Sequence, residues 1–435
     1  MERIFNILTI ALLAVLISAC EKVPMRVDGS NGDGEDIDVN ISVDAGKYIT
    51  FQTSANTRGT LIEDKYIKGS FGVYGYEYDF SKSWTGQRAV ALPNVFWNEE
   101  NGNKMPLKVS ENAGFYTYYA KNADAEDAGQ INWTGNRYAF FAYYPYNLET
   151  SGMNVEGSPY LTYSVDRKNA KNHIDVMTGG VSQLLASECN NTVSFSMAHR
   201  LAGVDVSISN VYVHSYKGDN GINIDEDVDI EISELQIDFE NLMYDKAKIF
   251  LEKNRFVPAL NSVLENIQGE TTASYKLIGM DSNSGETTFT VLPTEKDNTN
   301  ITKATGTSMT FIPQPYDPDN GIPGLEVTAT VTYRMKGTQS GYFEKAKVNE
   351  EGDYVDAAGN EIPLDANGNP TQELYYEGSA ERPFKVIKKS TFTQPLVESS
   401  RYYVVLTFTS EAVSINIITA AEWEELDHPV DIEFM

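Results

Sequence analysis

Apolar and polar positions alternate with period two through most of this chain. Ile37, Val39, Ile41 and Val43 interleave with Asp38, Asn40, Ser42 and Asp44, the pattern of a strand with one buried face. A second extended piece follows at Tyr48–Thr53, and then the polar turn Thr57-Arg58-Gly59-Thr60. Between Phe71 and Tyr163, short aromatic and β-branched runs alternate with loops rich in Asn, Asp and Gly. Alternation returns at Thr192–Ile208 and recurs at Val228–Phe239, Thr287–Leu292, Ser308–Ile312, Leu325–Tyr333, Arg401–Phe408 and Val413–Ile418. A last alternating piece carries Val430, Ile432 and Phe434. No stretch sustains a helical period. Strands at this spacing, joined by Gly/Asn/Asp turns, predict an all-β protein built of β-sandwiches. Two acidic loop insertions are expected, Lys217–Asp229 and Glu344–Thr371; within the second, the turns at Asp356–Asn360 and Asp365–Asn369 read as hairpin tips.

A chain of 435 residues exceeds what one hydrophobic core supports, so two domains are expected. The boundary is placed near residue 187, giving domains at 37–187 and 188–435. The first 19 residues hold the apolar run Ile4–Ile17, broken by Asn6 and Thr9. That run is shorter than the roughly 20 apolar residues of a membrane span and reads as an export signal. Residues 20–36 are polar, acidic and Gly-rich, the composition of a flexible tether. Ser18-Ala19-Cys20 resembles the lipobox of bacterial lipoproteins. The resemblance implies cleavage after Ala19 and acylation of Cys20, and two or more acyl chains are what stable anchoring requires.

Acidic residues outnumber basic ones, 62 to 34, for a net charge of -28. Neither nucleic acid nor an anionic lipid surface is a fitting partner for such a field. The only other cysteine is Cys189, so with Cys20 acylated no disulfide can form within the chain and stability rests on burial. Chemistry is thinly represented. His173, His199, His214 and His428 lack a metal-ligand spacing, and His199 on its strand reads as a packed or edge residue. No nucleophile elbow, phosphate-binding loop, HExxH or Cys-x-x-Cys occurs. The sequence is therefore read as non-enzymatic, with no cofactor and no metal. Asp225, Asp227 and Asp229 lack the order of a calcium loop and read as a solvated acidic segment. The run Tyr138–Tyr146 fits a core strand better than a sugar platform. Trp84, Trp97 and Trp133 lie near loops and are the residues on which a lipid-anchored glycan-binding protein, the alternative reading, would depend.

Six features in order carry a further resemblance: the lipobox, the Thr57-Arg58-Gly59 turn, Phe140–Pro145, Phe195–Leu201, Phe311–Pro315, and a closing strand ahead of Trp423. Together they resemble the fimbrillin family, the lipoprotein-type subunits of type V pili. The resemblance implies two transthyretin-like β-sandwiches in tandem and a structural or adhesive pilus subunit. It implies Arg-specific cleavage at Arg58-Gly59, removing a strand that matches Ile37, Val39, Ile41 and Val43. The strand donated to a neighbour matches Val413, Ile415 and Ile417, or Val430, Ile432 and Phe434. Implied partners are neighbouring subunits, the outer membrane through Cys20, and a host or bacterial surface ligand. Stalk, tip and anchor positions are all open to such a chain.

Overall fold

The structure is a computed structural model that describes residues 50–55, 70–84, 95, 107–112, 115–119, 133–151, 159–185, 192–218, 220–251, 264–269, 271–283, 285–292, 302–337, 341–410 and 412–420. The expected export signal, Cys20, the tether, Ile37, Val39, Ile41, Val43, Arg58, Gly59, Trp97, Cys189, Val430, Ile432 and Phe434 lie outside these residues. The regular structure described is almost all strand, as the alternation predicts.

Nine strands make up the first part: β1 (Thr50–Ala55), β2 (Phe71–Tyr78), β3 (Leu107–Asn112), β4 (Phe115–Tyr119), β5 (Arg137–Tyr144), β6 (Glu149–Ser151), β7 (Tyr160–Ser164), β8 (Met177–Leu184) and β9 (Thr192–His199). Seven of them form a sheet in the order β1-β9-β8-β5-β2-β3-β4. Its central strands are buried on both faces, which is why Tyr138–Tyr144 reads as an unbroken apolar run instead of an alternation. On one face Tyr74, Tyr76, Phe141 and Tyr143 join the main core. Along β2, β5 and β9 the alternate positions Phe71, Val73, Phe140 and Phe195 are equally buried, and Trp133 packs edge-on against Tyr138 and Phe140 at ring distances of 5.1 and 6.1 Å.

The second part begins with β10 (Ala202–Asn210), β11 (Val213–Lys217), β12 (Asn223–Glu240), β13 (Tyr244–Phe250), β14 (Leu264–Gln268), β15 (Thr272–Ile278), β16 (Phe289–Val291) and β17 (Thr302–Phe311). It continues with β18 (Glu326–Gly337), β19 (Gly341–Tyr342), β20 (Lys345–Ala346), β21 (Tyr376–Glu377), β22 (Phe384–Thr391), β23 (Arg401–Phe408) and β24 (Val413–Ala420). One sheet runs β17-β10-β23-β24; a larger one is built on β12 and β18, with β11, β15, β16, β19 and β22 at their sides. The two pack face to face through Phe239 on Phe311 and Tyr333 on Phe408, with ring centroids 4.9 Å apart in both pairs.

The path of the chain departs from the sequence reading in three places. Thr192–Ile208 is two strands in different sheets, broken at Arg200-Leu201: β9 completes the first sheet and β10 opens the next. The first sheet therefore extends past residue 187. β13, with β14 on its far side, then returns to pair with β7, which carries β6, in a four-stranded sheet, so residues 244–268 share a sheet with residues 149–164. Finally, the acidic segment around Asp225 is not a loop. It is the first part of β12, laddered to β11 from Val213↔Asp227 to Lys217↔Asn223, where a partner strand overrides the low β-propensity of Asp and Asn.

The Glu344–Thr371 insertion holds the two expected hairpin tips and a third at Asn349–Asp353. In each, the first residue's side-chain oxygen accepts a backbone N–H from the fifth, and the fourth is a glycine with φ between 81° and 94°. Those bonds hold the exposed carboxyls of Asp356 and Asp365 below the usual carboxylate range, chiefly through the Asn360 side chain and the Asn369 backbone N–H respectively.

Candidate assembly site

β1 occupies an edge of the first sheet and lies parallel to β9 over six register positions, Thr50↔Thr192 to Ala55↔Met197. On its other side β9 lies antiparallel to β8, with Met177↔His199 and Thr178↔Ala198 among the paired positions. β9 thus lies between β1 and β8, and its Val193, Phe195 and Met197 are buried. Stripping β1 away would leave a row of unpaired N–H and C=O groups, which only another strand satisfies well. Ala55 lies three residues before Arg58.

At the other end of the chain, β24 is antiparallel to β23 from Phe408↔Val413 to Arg401↔Ala420. Val413 is buried, and Ile415 and Ile417 pack against the core. The outer side of β24 comes within 8 Å (Cα to Cα) of β22 without sharing a ladder. So three of the six candidate donor residues already belong to this chain's own sheet.

A buried ionic junction ties the end of β9 to the start of β23. His199 Nδ1 lies 2.8 Å from Asp175 Oδ1. Arg200, 1% exposed, donates to Thr178 Oγ1 and to Glu398. Ser399 Oγ donates to the His199 carbonyl at 2.6 Å. Nearby, Arg401 Nε and Ser308 Oγ both donate to Asp205. His199 is thus a packed histidine, as read from its strand.

His173, which the sequence left unassigned, is the other polar hub. Its Nδ1 accepts the Thr310 N–H and its Nε2 donates to the Asp166 carbonyl, both at 2.8 Å. This pattern needs the neutral ring, and burial holds its pKa below the ordinary histidine value. A depressed pKa means the stability His173 brings is complete above the unfolded value of about 6.5 and is lost as pH falls toward the folded one. His173→Ala should cost about 1–3 kcal/mol at pH 7.5 by orphaning the Thr310 N–H. Thermal melts at pH 7.5 and pH 5.5 check it: the gap between wild type and variant narrows at the lower pH.

The residues on which glycan binding would rest are placed differently from the sequence expectation. Trp84 and Trp133 are 2% and 1% exposed; Trp84 packs among Tyr76, Tyr78 and Phe141. Neither offers a ring face to a sugar. Among the described residues, no group of three or more His, Cys, Asp or Glu is arranged to hold a metal ion, and no helix is long and apolar enough to cross a membrane.

No curated protein sequence matches the chain. Among solved structures it is similar to a fimbrial protein from Bacteroides vulgatus ATCC 8482, at 14% identity and TM-score 0.48, covering 87% of this chain and 100% of that one. It is also similar to a fimbrilin from Porphyromonas gingivalis W83, at 11% identity and TM-score 0.33, covering 85% and 97%. The family model described as fimbrillin-like matches residues 81–423. That match takes in well over half of the sequence, and the chain belongs to the fimbrillin-like family.

Proposed function

We propose that the chain is a structural or adhesive pilus subunit that polymerises by strand exchange. It is exported as a lipoprotein, anchored through acyl groups on Cys20 to the outer membrane, and displayed at the cell surface. Its two halves act as tandem transthyretin-like sandwiches. Arg-specific cleavage at Arg58-Gly59 releases everything upstream, including β1 together with the segment containing Ile37, Val39, Ile41 and Val43. A neighbour's C-terminal strand then takes the place beside β9. The role is mechanical, with no catalytic centre.

The observation that supports this reading is the position of β1, a parallel strand at the described edge of the sheet that pairs with β9 over six positions and ends three residues before Arg58. While covalently attached, β1 carries no association cost, so it shields the groove. A strand from another copy supplies the same hydrogen bonds plus side chains at alternate positions for register. Such a contact is heterologous and extends into a filament instead of closing. Of the two donor candidates, the stretch with Val430, Ile432 and Phe434 is favoured, because β24 would first have to leave β23.

The test is trimming of the folded precursor with an arginine-specific protease, followed by N-terminal sequencing and light scattering. A new terminus at Gly59 and concentration-dependent polymers are expected. A terminus at Gly59 on a chain that stays monomeric at high concentration removes the stalk version. No cleavage at Arg58 removes the strand-exchange reading itself.

A further inference from the structure

An arginine-specific protease poses a hazard to its own substrate, and most of the arginines among the described residues are held out of its reach. Six fall among the described residues. Arg200 and Arg401 are buried. Arg137 lies in β5 with its Nε on the Phe80 carbonyl. Arg167 faces Asp245 at 3.3 Å and Arg334 faces Glu231 at 2.5 Å. Arg382 differs: it is exposed and sits in a turn at the foot of the acidic insertion, just before β22. Of the eleven arginines in the chain, it is also the only one followed by proline.

We infer that Pro383 makes Arg382 resistant to the Arg-specific cleavage that trims the chain, so that the mature subunit keeps its C-terminal strands covalently attached. This rests on the proposed trimming at Arg58. A protease of this kind adds its nucleophile to the arginine carbonyl carbon, breaks the C–N bond and protonates the departing amine; water then releases the acyl group. At Arg382 the departing nitrogen belongs to the pyrrolidine ring. It bears no N–H, and its ring atoms crowd the residue before it and the space where a protease would hold the downstream chain.

The surrounding turn works in the same direction. The Arg382 carbonyl accepts the Gly378 N–H at 2.6 Å, and its own N–H donates to Ser379 Oγ at 3.1 Å. The guanidinium rests over the Tyr375 ring at 5.2 Å, and Lys347 Nζ lies 5.7 Å from the same ring. Gly378, at φ 122°, has no room for a side chain, since a Cβ would come within 2.2 Å of the Phe343 carbonyl oxygen. A cut after Arg382 would leave β22, β23, β24 and everything beyond attached by non-covalent contact alone.

The experiment is digestion of the chain 20–435 with an arginine-specific endoprotease, read by intact-mass spectrometry, for wild type and Pro383→Ala, each checked by thermal melt. Folded wild type is expected to lose the Arg58 bond without yielding the fragment 383–435. In folded Pro383→Ala that fragment is expected at least tenfold faster than in wild type. Wild type digested in urea is expected to be cut after Arg137, Arg167 and Arg334 and still spared after Arg382. Cleavage of folded wild type after Arg382 as fast as after Arg58 overturns the inference. So does a Pro383→Ala chain that stays whole there, which would give the protection to the turn. If Arg58 survives while Pro383→Ala behaves as expected, the trimming reading fails and the role of Pro383 stands.

Discussion

Deletion of residues 421–435 is expected to leave a chain that folds and is trimmed after Arg58 yet no longer polymerises. The reason lies in β24. Eight register positions bind it to β23, Val413 is buried, and Ile415 and Ile417 pack on the core. To act as donor it would first have to surrender those contacts, and what it gained beside a neighbour's β9 would largely repeat what it had lost. The alternating stretch with Val430, Ile432 and Phe434 follows in the sequence. Three apolar side chains at about 1.5–3 kcal/mol each give roughly 5–9 kcal/mol toward a new ladder. Losing even half of that weakens association by roughly a hundredfold to a thousandfold. Light scattering of the trimmed, truncated protein reads the outcome directly. Polymers from that protein would make β24 the donor.

The second large effect belongs to the Asp205–Arg401 pair. Asp205 on β10 and Arg401 on β23 are 6% and 7% exposed, and the carboxylate is held by the guanidinium and by Ser308. Arg401→Met keeps most of the side-chain volume but strands a carboxylate away from water. The cost is expected at about 3–5 kcal/mol. Asp205→Leu should be comparably harmful, because it leaves the guanidinium behind. The double replacement should recover much of the loss, since a buried pair is often no better than apolar residues of similar size. A double-mutant cycle by thermal melt measures the coupling; additive losses would mean the two charges do not depend on one another.

Much of the fold is legible in the chain because its signals are local. Alternation finds most of the strands, and the unbroken run at Tyr138–Tyr144 already marks a sheet covered on both sides. What the sequence hides is pairing at a distance. Nothing local tells that β9 turns back to β8 and β1 while β10, two residues later, leaves for another sheet. Nor does anything local tell that β13 and β14 come back to β7. Asp225 and its neighbours look like a loop because acid repels; their ladder to β11 is invisible until both strands are seen together. Trp84 and Trp133 mislead for a related reason. A tryptophan beside a loop reads as exposed unless one knows that its ring packs on an aromatic face of the sheet. The proposed assembly site is legible in outline through Arg58 and the strands around it, but the parallel pairing of β1 with β9 is a matter of register alone.

The parallel pairing of β10 with β23 has a consequence for biosynthesis. Gly203 lies opposite Arg401 and Asn210 opposite Phe408, partners separated by almost half the polypeptide. As the chain emerges from the ribosome, β10 must wait for nearly everything after it before its central ladder can close, and contacts of such long range are slow to form. Any premature stop ahead of β23 would leave β10 bare along that edge, an invitation to aggregation.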